Sequence, residues 1–223
     1  MRVVFYAVLK SGGEFKPEHA FRLFRQILRH TKEDVALVLF TDKPEDVCVA
    51  TPDDLRDKFL IETLKYNWPG WWSKMEMFAT SLGYPVIYFD LDTTIVGDLT
   101  PLIDEAQNTR LGILEDFYRG AGTMQSSAMT WNLSGFTTRL FRAFSRDPEQ
   151  YMAKFKTGGD QAFLEAVLHK EYVPRFQKIL PGAFISYKAN NVAESGVPDG
   201  AIAVIFHGKP RPWDPGVKNV DRE

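Results

Sequence analysis

Two carboxylates two residues apart, Asp90 and Asp92, follow directly on the apolar run Val86-Ile87-Tyr88-Phe89. Side chains alternate faces along an extended strand, so both acids can point the same way. Placed like that they repel unless a hard cation lies between or beside them, and oxygen ligands suit Mg2+ or Mn2+. A buried strand excludes charge, which puts the pair at the strand's carboxyl end, where α/β sheets hold their ligands. The chemistry this spacing serves is a divalent metal gripping a diphosphate.

Two other readings compete for the same residues. Asp90-x-Asp92-x-Thr94 fits the signature of haloacid-dehalogenase-like phosphatases, in which the first Asp attacks phosphorus and the second acts as acid and base. That signature follows the first strand of its fold and needs a later acidic pair. Here several elements precede it, and neither Asp-Asp nor Gly-Asp-x-x-x-Asp lies downstream. The plain alternative is a solvated turn, since Asp is common after strands.

Further polar groups could complete a metal–diphosphate site. His207 stands just past the last apolar run, beside Gly208, as a third metal ligand or as a hydrogen-bonded loop histidine. The other three histidines, His19, His30 and His169, fall in helical patterns and read as surface residues. Lys209 and Arg211 flank Pro210, where a leaving diphosphate needs cations. Asp160 and Gln161 open a helix after Gly158-Gly159, suited to capping it or to gripping hydroxyls. Trp68, Trp71 and Trp72 cluster, and Trp131 stands apart; such rings pack in cores or stack on sugars.

The elements that must position these groups follow from apolar periodicity. Residues 3–9 and 35–40 read as buried strands, with a helix from Pro17 between them whose apolar face is Phe21, Phe24, Ile27 and Leu28 and whose other face carries Arg22, Arg25 and Arg29. Residues 47–50 read as a short third strand, and Thr51-Pro52-Asp53-Asp54 as a helix start. A helix over 71–82 turns Trp72, Met75, Phe78 and Ala79 to the core, with Lys74 and Glu76 on other sides. After the acidic pair come a short helix at 101–106, strands at 111–114 and 126–133, and helices at 137–144, 150–155 and 162–169. Ile179-Leu180 and Phe184-Ile185 are short strand candidates, and 201–206 is the last strand. Non-alternating apolar strands predict a largely parallel sheet covered on both faces, an α/β fold.

Composition narrows the class. A formal charge of −2 over 223 residues gives no reason to expect nucleic acid as a partner. The single cysteine, Cys48, excludes an internal disulfide and a cysteine-based zinc site, and reads as a small apolar residue in a reducing compartment. The apolar run after Arg2 is too short for a signal peptide, and no stretch approaches the roughly 20 apolar residues that span a bilayer. The expectation is one cytoplasmic domain over 1–223, with a polar, loose tail from about residue 214.

Read together, the motifs resemble those of a known family. Tyr88-Phe89-Asp90-Leu91-Asp92-Thr93-Thr94-Ile95-Val96-Gly97-Asp98-Leu99 is similar to the Tyr-Leu-Asp-Ala-Asp-Thr-x-Val-x-Gly-Asp-Leu of GT-A-fold glycosyltransferases of the glycogenin- and galactosyltransferase-like family 8. Lys74 stands where the family has an upstream basic residue. The segment from Ser126 to Leu133 resembles its Asn-Ala-Gly-Val-Met-x-Phe-Asn, and Gly159-Asp160-Gln161-Ala162-Phe163-Leu164 its Asp-Gln-Asp-x-Leu-Asn. Gly208-Lys209-Pro210-Arg211-Pro212-Trp213 resembles the closing Gly-x-x-Lys-Pro-Trp. Gln125 replaces the family's Asn, Ser127 its Gly and Arg211 its Lys. The family's metal histidine aligns with Ile205, whereas His207 adjoins the Gly. These departures suggest a divergent bacterial or phage-like branch.

The resemblance implies a single Rossmann-like GT-A domain with a mixed, mostly parallel sheet. It implies Mn2+- or Mg2+-dependent transfer of a hexose from a nucleotide diphosphate sugar, most often UDP-linked, to a hydroxyl of a glycan, lipid-linked or protein acceptor, with retention. By the same resemblance Asp90, Asp92 and His207 would hold the metal, while Ala7, Val8, Lys74, Leu91, Ser126, Ser127, Gly208, Lys209 and Arg211 would join them around the donor. Asp160, Gln161, Lys209 and Arg211 would serve the chemistry. Were the enzyme inverting, Asp160, Glu115 or Asp116 would be the base. Variable loops at 120–125 and 187–200 would hold the acceptor. A non-catalytic nucleotide-sugar or glycan binder of the same fold is the remaining alternative.

Overall fold

The structure, a computed structural model, describes residues 3–80, 83–132, 134–168 and 173–220. Among the described residues the strands are β1 (Val3–Leu9), β2 (Val35–Thr41), β3 (Leu60–Thr63), β4 (Val86–Phe89), β5 (Thr94–Ile95), β6 (Gly112–Leu114), β7 (Gln125–Trp131), β8 (Phe184–Ser186) and β9 (Ala203–Ile205). The α-helices are α1 (Pro17–Arg29), α2 (Pro44–Ala50), α3 (Thr100–Asn108), α4 (Ser134–Ser145), α5 (Pro148–Lys154), α6 (Gly159–Val167), α7 (Phe176–Ile179) and α8 (Val192–Ser195).

Six strands form the central sheet in the order β3-β2-β1-β4-β7-β6. The β3, β2, β1 and β4 neighbours are parallel, and β7 runs antiparallel to both β4 and β6. The sheet is mixed and mostly parallel, as the unbroken apolar strands predict. Along β1 the residues alternate between two cores: Val3, Phe5, Ala7 and Leu9 pack with α1 and α3, while Val4 and Tyr6 face the opposite layer, which includes Trp72, Phe78 and Phe144. A second sheet, β5-β9-β8, carries a small apolar cluster of its own that includes Val204, Phe206 and Val217.

Several local expectations are corrected. Residues 47–50 are the end of α2, not a strand. Pro44 at the first helical positions with Glu45 and Asp46 behind it starts a helix, which buries Val47 and leaves Val49 outside. The third strand of the sheet is β3. Thr51-Pro52-Asp53-Asp54 opens only the single 3-10 turn Asp53–Leu55. The segment after Pro69 is a 3-10 helix, Gly70–Ala79, whose three-residue period lines up Trp72, Met75 and Phe78 in the core and leaves Ala79 exposed. Ser81 and Leu82, the expected end of that helix, lie outside the described residues, as do Leu133 after β7 and His169 after α6. Ile179 closes α7 and is not in a strand. Cys48 is exposed. His19 is buried, its ring stacked on Trp213 at 3.6 Å. The tail is not loose through residue 220, because Val217 is buried and the Lys218 N–H donates to the Tyr187 hydroxyl at 3.0 Å.

Candidate functional site

The acidic turn is held from beneath by a residue the helical pattern had assigned to the surface. Arg22 of α1 is buried, and its Nη2 donates to the carbonyls of Leu91 at 3.0 Å and Thr93 at 2.7 Å. Its Nη1 donates to the Thr94 hydroxyl at 3.1 Å, and Gln26, one turn on, accepts the Ile95 N–H at 3.0 Å. An α-helix thus pins the backbone on both sides of Asp92. From the other side the Asp90 N–H donates to the Ser127 carbonyl at 2.8 Å, continuing the β4–β7 pairing and bringing Ser126 and Ser127 beside the acids.

Asp90 extends over the same sheet face as Tyr88, two residues earlier, whose hydroxyl donates to its Oδ1 at 2.5 Å. Lys74, from the 3-10 helix, reaches the same oxygen at 2.9 Å and Asp160 Oδ2 at 3.3 Å. Its Nζ also lies 3.3 Å from Ser126 Oγ. Burial alone would depress the ammonium's pKa, but Asp160 and Asp90 outweigh it and hold it above the usual lysine range. Burial raises the Asp160 carboxyl and, helped by the Asp90 charge, pushes the Tyr88 phenol well up.

Asp92 is buried, and burial followed by the Asp90 charge lifts its pKa to about 7, against the pull of Arg211 and Lys74. Arg211 Nη1 contacts Asp92 directly. The rest of that guanidinium engages Glu14, with Nε 3.0 Å from Oε1 and Nη2 on the same oxygen, and lies over the Phe15 ring. The C-terminal segment is thereby tied to the loop after β1.

Val8, Lys74, Asp90, Leu91, Asp92, Ser126, Ser127, Asp160, Gln161, His207, Gly208 and Arg211 line one cleft of about 1080 Å³. Gln161 Nε2 donates to Asp116 Oδ2 at 3.2 Å, so one expected base candidate braces another expected site residue. Two predicted residues fall elsewhere. Ala7 is a core residue, because β1 turns it towards α1. Lys209 is 67% exposed and pairs with Glu14 and Asp214 at 3.3 and 3.4 Å outside the cleft wall.

His207 lines the cleft, but its ring is wedged against Phe117 and Tyr118, with Nδ1 2.6 Å from Gln125 Nε2. Burial, then the Lys188 charge, lowers its pKa to about 4, so the imidazole is neutral at ordinary pH. Among the described residues no three His, Cys, Asp or Glu side chains are grouped closely enough to hold a metal. The donor set nonetheless suits a hard cation. Asp90 and Asp92 put two mutually repelling carboxylates in the cleft, and the buried His207 Nε2 has no hydrogen-bond partner. Glu14, Arg22 and Gln26 carry no motif in the sequence; the spacing of four that puts Arg22 and Gln26 on one face of α1 is the signal available for the latter two.

No protein-family model matches the chain, and no curated protein does. Solved structures do resemble it. Galactosyltransferase LgtC, in complex with donor and acceptor sugar analogs, superposes with a TM-score of 0.66 at 13% identity, over 96% of this chain and 90% of that one. GlyE, a glycosyltransferase of Streptococcus pneumoniae TIGR4, gives 0.67 at 13%, over 96% of this chain and 57% of its own. Mouse xyloside xylosyltransferase 1 gives 0.61 at 13%, over 94% and 98%. The chain has the GT-A glycosyltransferase fold.

Proposed function

We propose that this chain is a glycosyltransferase that moves a hexose from a nucleotide diphosphate sugar, UDP-linked, to a hydroxyl acceptor, with retention and with a divalent metal. The observation that carries the reading is the meeting of Asp90, Asp92, Lys74 and Asp160 in one cleft at the carboxyl end of β4. An Mn2+ or Mg2+ ion bound by Asp90 and Asp92, with His207 Nε2 as the third candidate, would neutralise charge growing on the leaving diphosphate.

The chain's own residues prepare the rest. In the reaction the anomeric C–O bond breaks with its electron pair leaving on the diphosphate, and the acceptor oxygen forms the new bond. With retention, the acceptor proton passes to the departing diphosphate on the same face. Arg211 supplies a cation beside Asp92, and contacts of this kind are worth about 3–4 kcal/mol where charge develops. Lys74 fixes the positions of Asp90 and Asp160, so the wall facing the donor sugar is set before substrate arrives. Gln161, braced by Asp116, offers its amide to sugar hydroxyls. A phosphatase role would require Asp90 as nucleophile, yet its Oδ1 is engaged by both Lys74 and Tyr88.

The test is a thermal-shift titration with UDP and Mn2+, followed by UDP release from UDP-hexoses offered hydroxyl acceptors. A rise in melting temperature that chelator abolishes and that Asp92→Ala lacks supports the reading. Equal UDP affinity in wild type and Asp92→Ala, with and without Mn2+, rejects it. Donor binding without transfer to any acceptor favours a non-catalytic binder.

A further inference from the structure

One aromatic ring of the cleft is both well exposed and unused by the donor chemistry: among the described lining residues Phe206 is buried and Phe15 lies under Arg211. Trp68, Trp72 and Trp131 are buried in the core, and Trp213 is stacked on His19. Trp71 is different: it is 52% exposed and lines the cleft. It is also fixed. Gly159 adopts φ +59°, and a Cβ there would fall 2.4 Å from the indole Nε1 and 2.6 Å from Cδ1. The ring edge therefore rests on the backbone that leads directly into Asp160 and Gln161, and only glycine leaves it that room.

Position selects what the free part of the ring meets. Asp160, Ser126 and Ser127 are buried at the floor, whereas the indole stands open to solvent at the same end of the cleft. A donor sugar seated on the floor leaves the indole to the group that enters second. Among the residues that line the same cleft, Pro69, Thr157, Gly158 and Gln161 offer a hydroxyl, an amide and small apolar surfaces, while Lys74, one 3-10 turn after Trp71, is committed to Asp90 and Asp160. A pyranose presents one C–H face to an aromatic ring and hydroxyls around its rim, and these residues match both. Resting on the glycosyltransferase reading above, we propose that Trp71 is the stacking platform of an acceptor subsite, and that the acceptor is a pyranoside.

The test is saturation-transfer NMR on the intact protein with Mn2+ and UDP present, using methyl glucopyranoside, methyl galactopyranoside and methyl xylopyranoside as probes. UDP binding is followed in parallel by thermal shift. The expected result is transfer concentrated on one face of a pyranoside ring, affinity about tenfold weaker in Trp71→Ala and largely restored in Trp71→Phe, and UDP affinity alike in all three proteins. The acceptor proposal alone is overturned by equal pyranoside binding in Trp71→Ala, by a parallel loss of UDP affinity in that variant, or by no pyranoside signal from wild-type protein that still binds UDP. Failure of UDP to bind wild-type protein overturns the donor-site reading and the acceptor proposal with it, and is separately visible in the thermal shift.

Discussion

The Arg22 guanidinium donates to the Leu91 carbonyl at 3.0 Å across 69 residues of chain, and so places a buried cation directly under the acidic turn. It serves the carbonyls of Leu91 and Thr93 and the Thr94 hydroxyl at once from two nitrogens of a planar fork, a spread of donors that the single nitrogen of an ammonium lacks. Arg22→Ala strands these acceptors away from water at about 1–3 kcal/mol each. The expected loss is about 3 kcal/mol or more in urea denaturation. Arg22→Lys should fall between wild type and Arg22→Ala in stability and bind Mn2+ more weakly than wild type. A fully stable Arg22→Ala protein would show that the turn holds itself.

The pH dependence of the metal-free protein isolates Asp92. Its native pKa, raised to about 7, exceeds the ordinary aspartate value, so between about pH 4 and pH 7 the folded state keeps a proton that the unfolded chain has lost. Asp92 therefore takes stability away as pH rises through that window. Asp92→Asn removes the penalty: in EDTA its melting temperature should stay near wild type at pH 4.5 and gain on it at pH 7.5. Excess Mn2+ at pH 7.5 should reverse the order, because only the wild type presents the second carboxylate. An Asn variant displaced by the same amount at both pH values would count against the assigned titration.

How much of this was legible in the sequence depended on how local the cause was. The β1 strand, the start of α1 at Pro17 and the acidic pair after β4 are written in neighbouring residues. Val47-Cys48-Val49-Ala50 was misread because β-branched residues favour strands, while Pro44, Glu45 and Asp46 several positions earlier decide for a helix. The spacing of Trp72, Met75 and Phe78 fits an α-helix and a 3-10 helix about equally, and only packing chose between them. Arg22 reads from sequence as an outer-face residue of α1, and Glu14 carries no signal at all, for another reason. Their partners lie 69 to 197 residues away, so no window of sequence contains both halves of the interaction.

Lys74 sits between two carboxylates, 2.9 Å from Asp90 and 3.3 Å from Asp160. Removing one partner from a buried ion network leaves the others uncompensated, at about 3–5 kcal/mol. Lys74→Met should be destabilised by about 3 kcal/mol at pH 8 and by less at pH 5, where Asp160, its carboxyl already raised by burial, can take up a proton. Mn2+ should raise the melting temperature of Lys74→Met by more than it raises that of the wild type, since the ion restores positive charge next to Asp90. A pH-independent loss would mark Lys74 as a packing residue.

The amide of Gln125 decides which nitrogen of His207 can meet a cation. A neutral imidazole carries one proton, and the amide lies 2.6 Å from Nδ1. As the amide stands, its nitrogen faces Nδ1, so Nε2 carries the proton; turning the amide so that its oxygen accepts from Nδ1–H leaves the buried Nε2 with a lone pair for a cation. Gln125 is thus expected to act only through His207. His207→Ala and Gln125→Leu should each weaken Mn2+ binding about tenfold, the effect usual for groups that orient a ligand. The double variant should be no worse than His207→Ala alone, a non-additivity that Mn2+ titration by paramagnetic resonance measures directly. Two independent losses that multiply would separate Gln125 from the histidine. No loss in His207→Ala would leave the metal to Asp90 and Asp92.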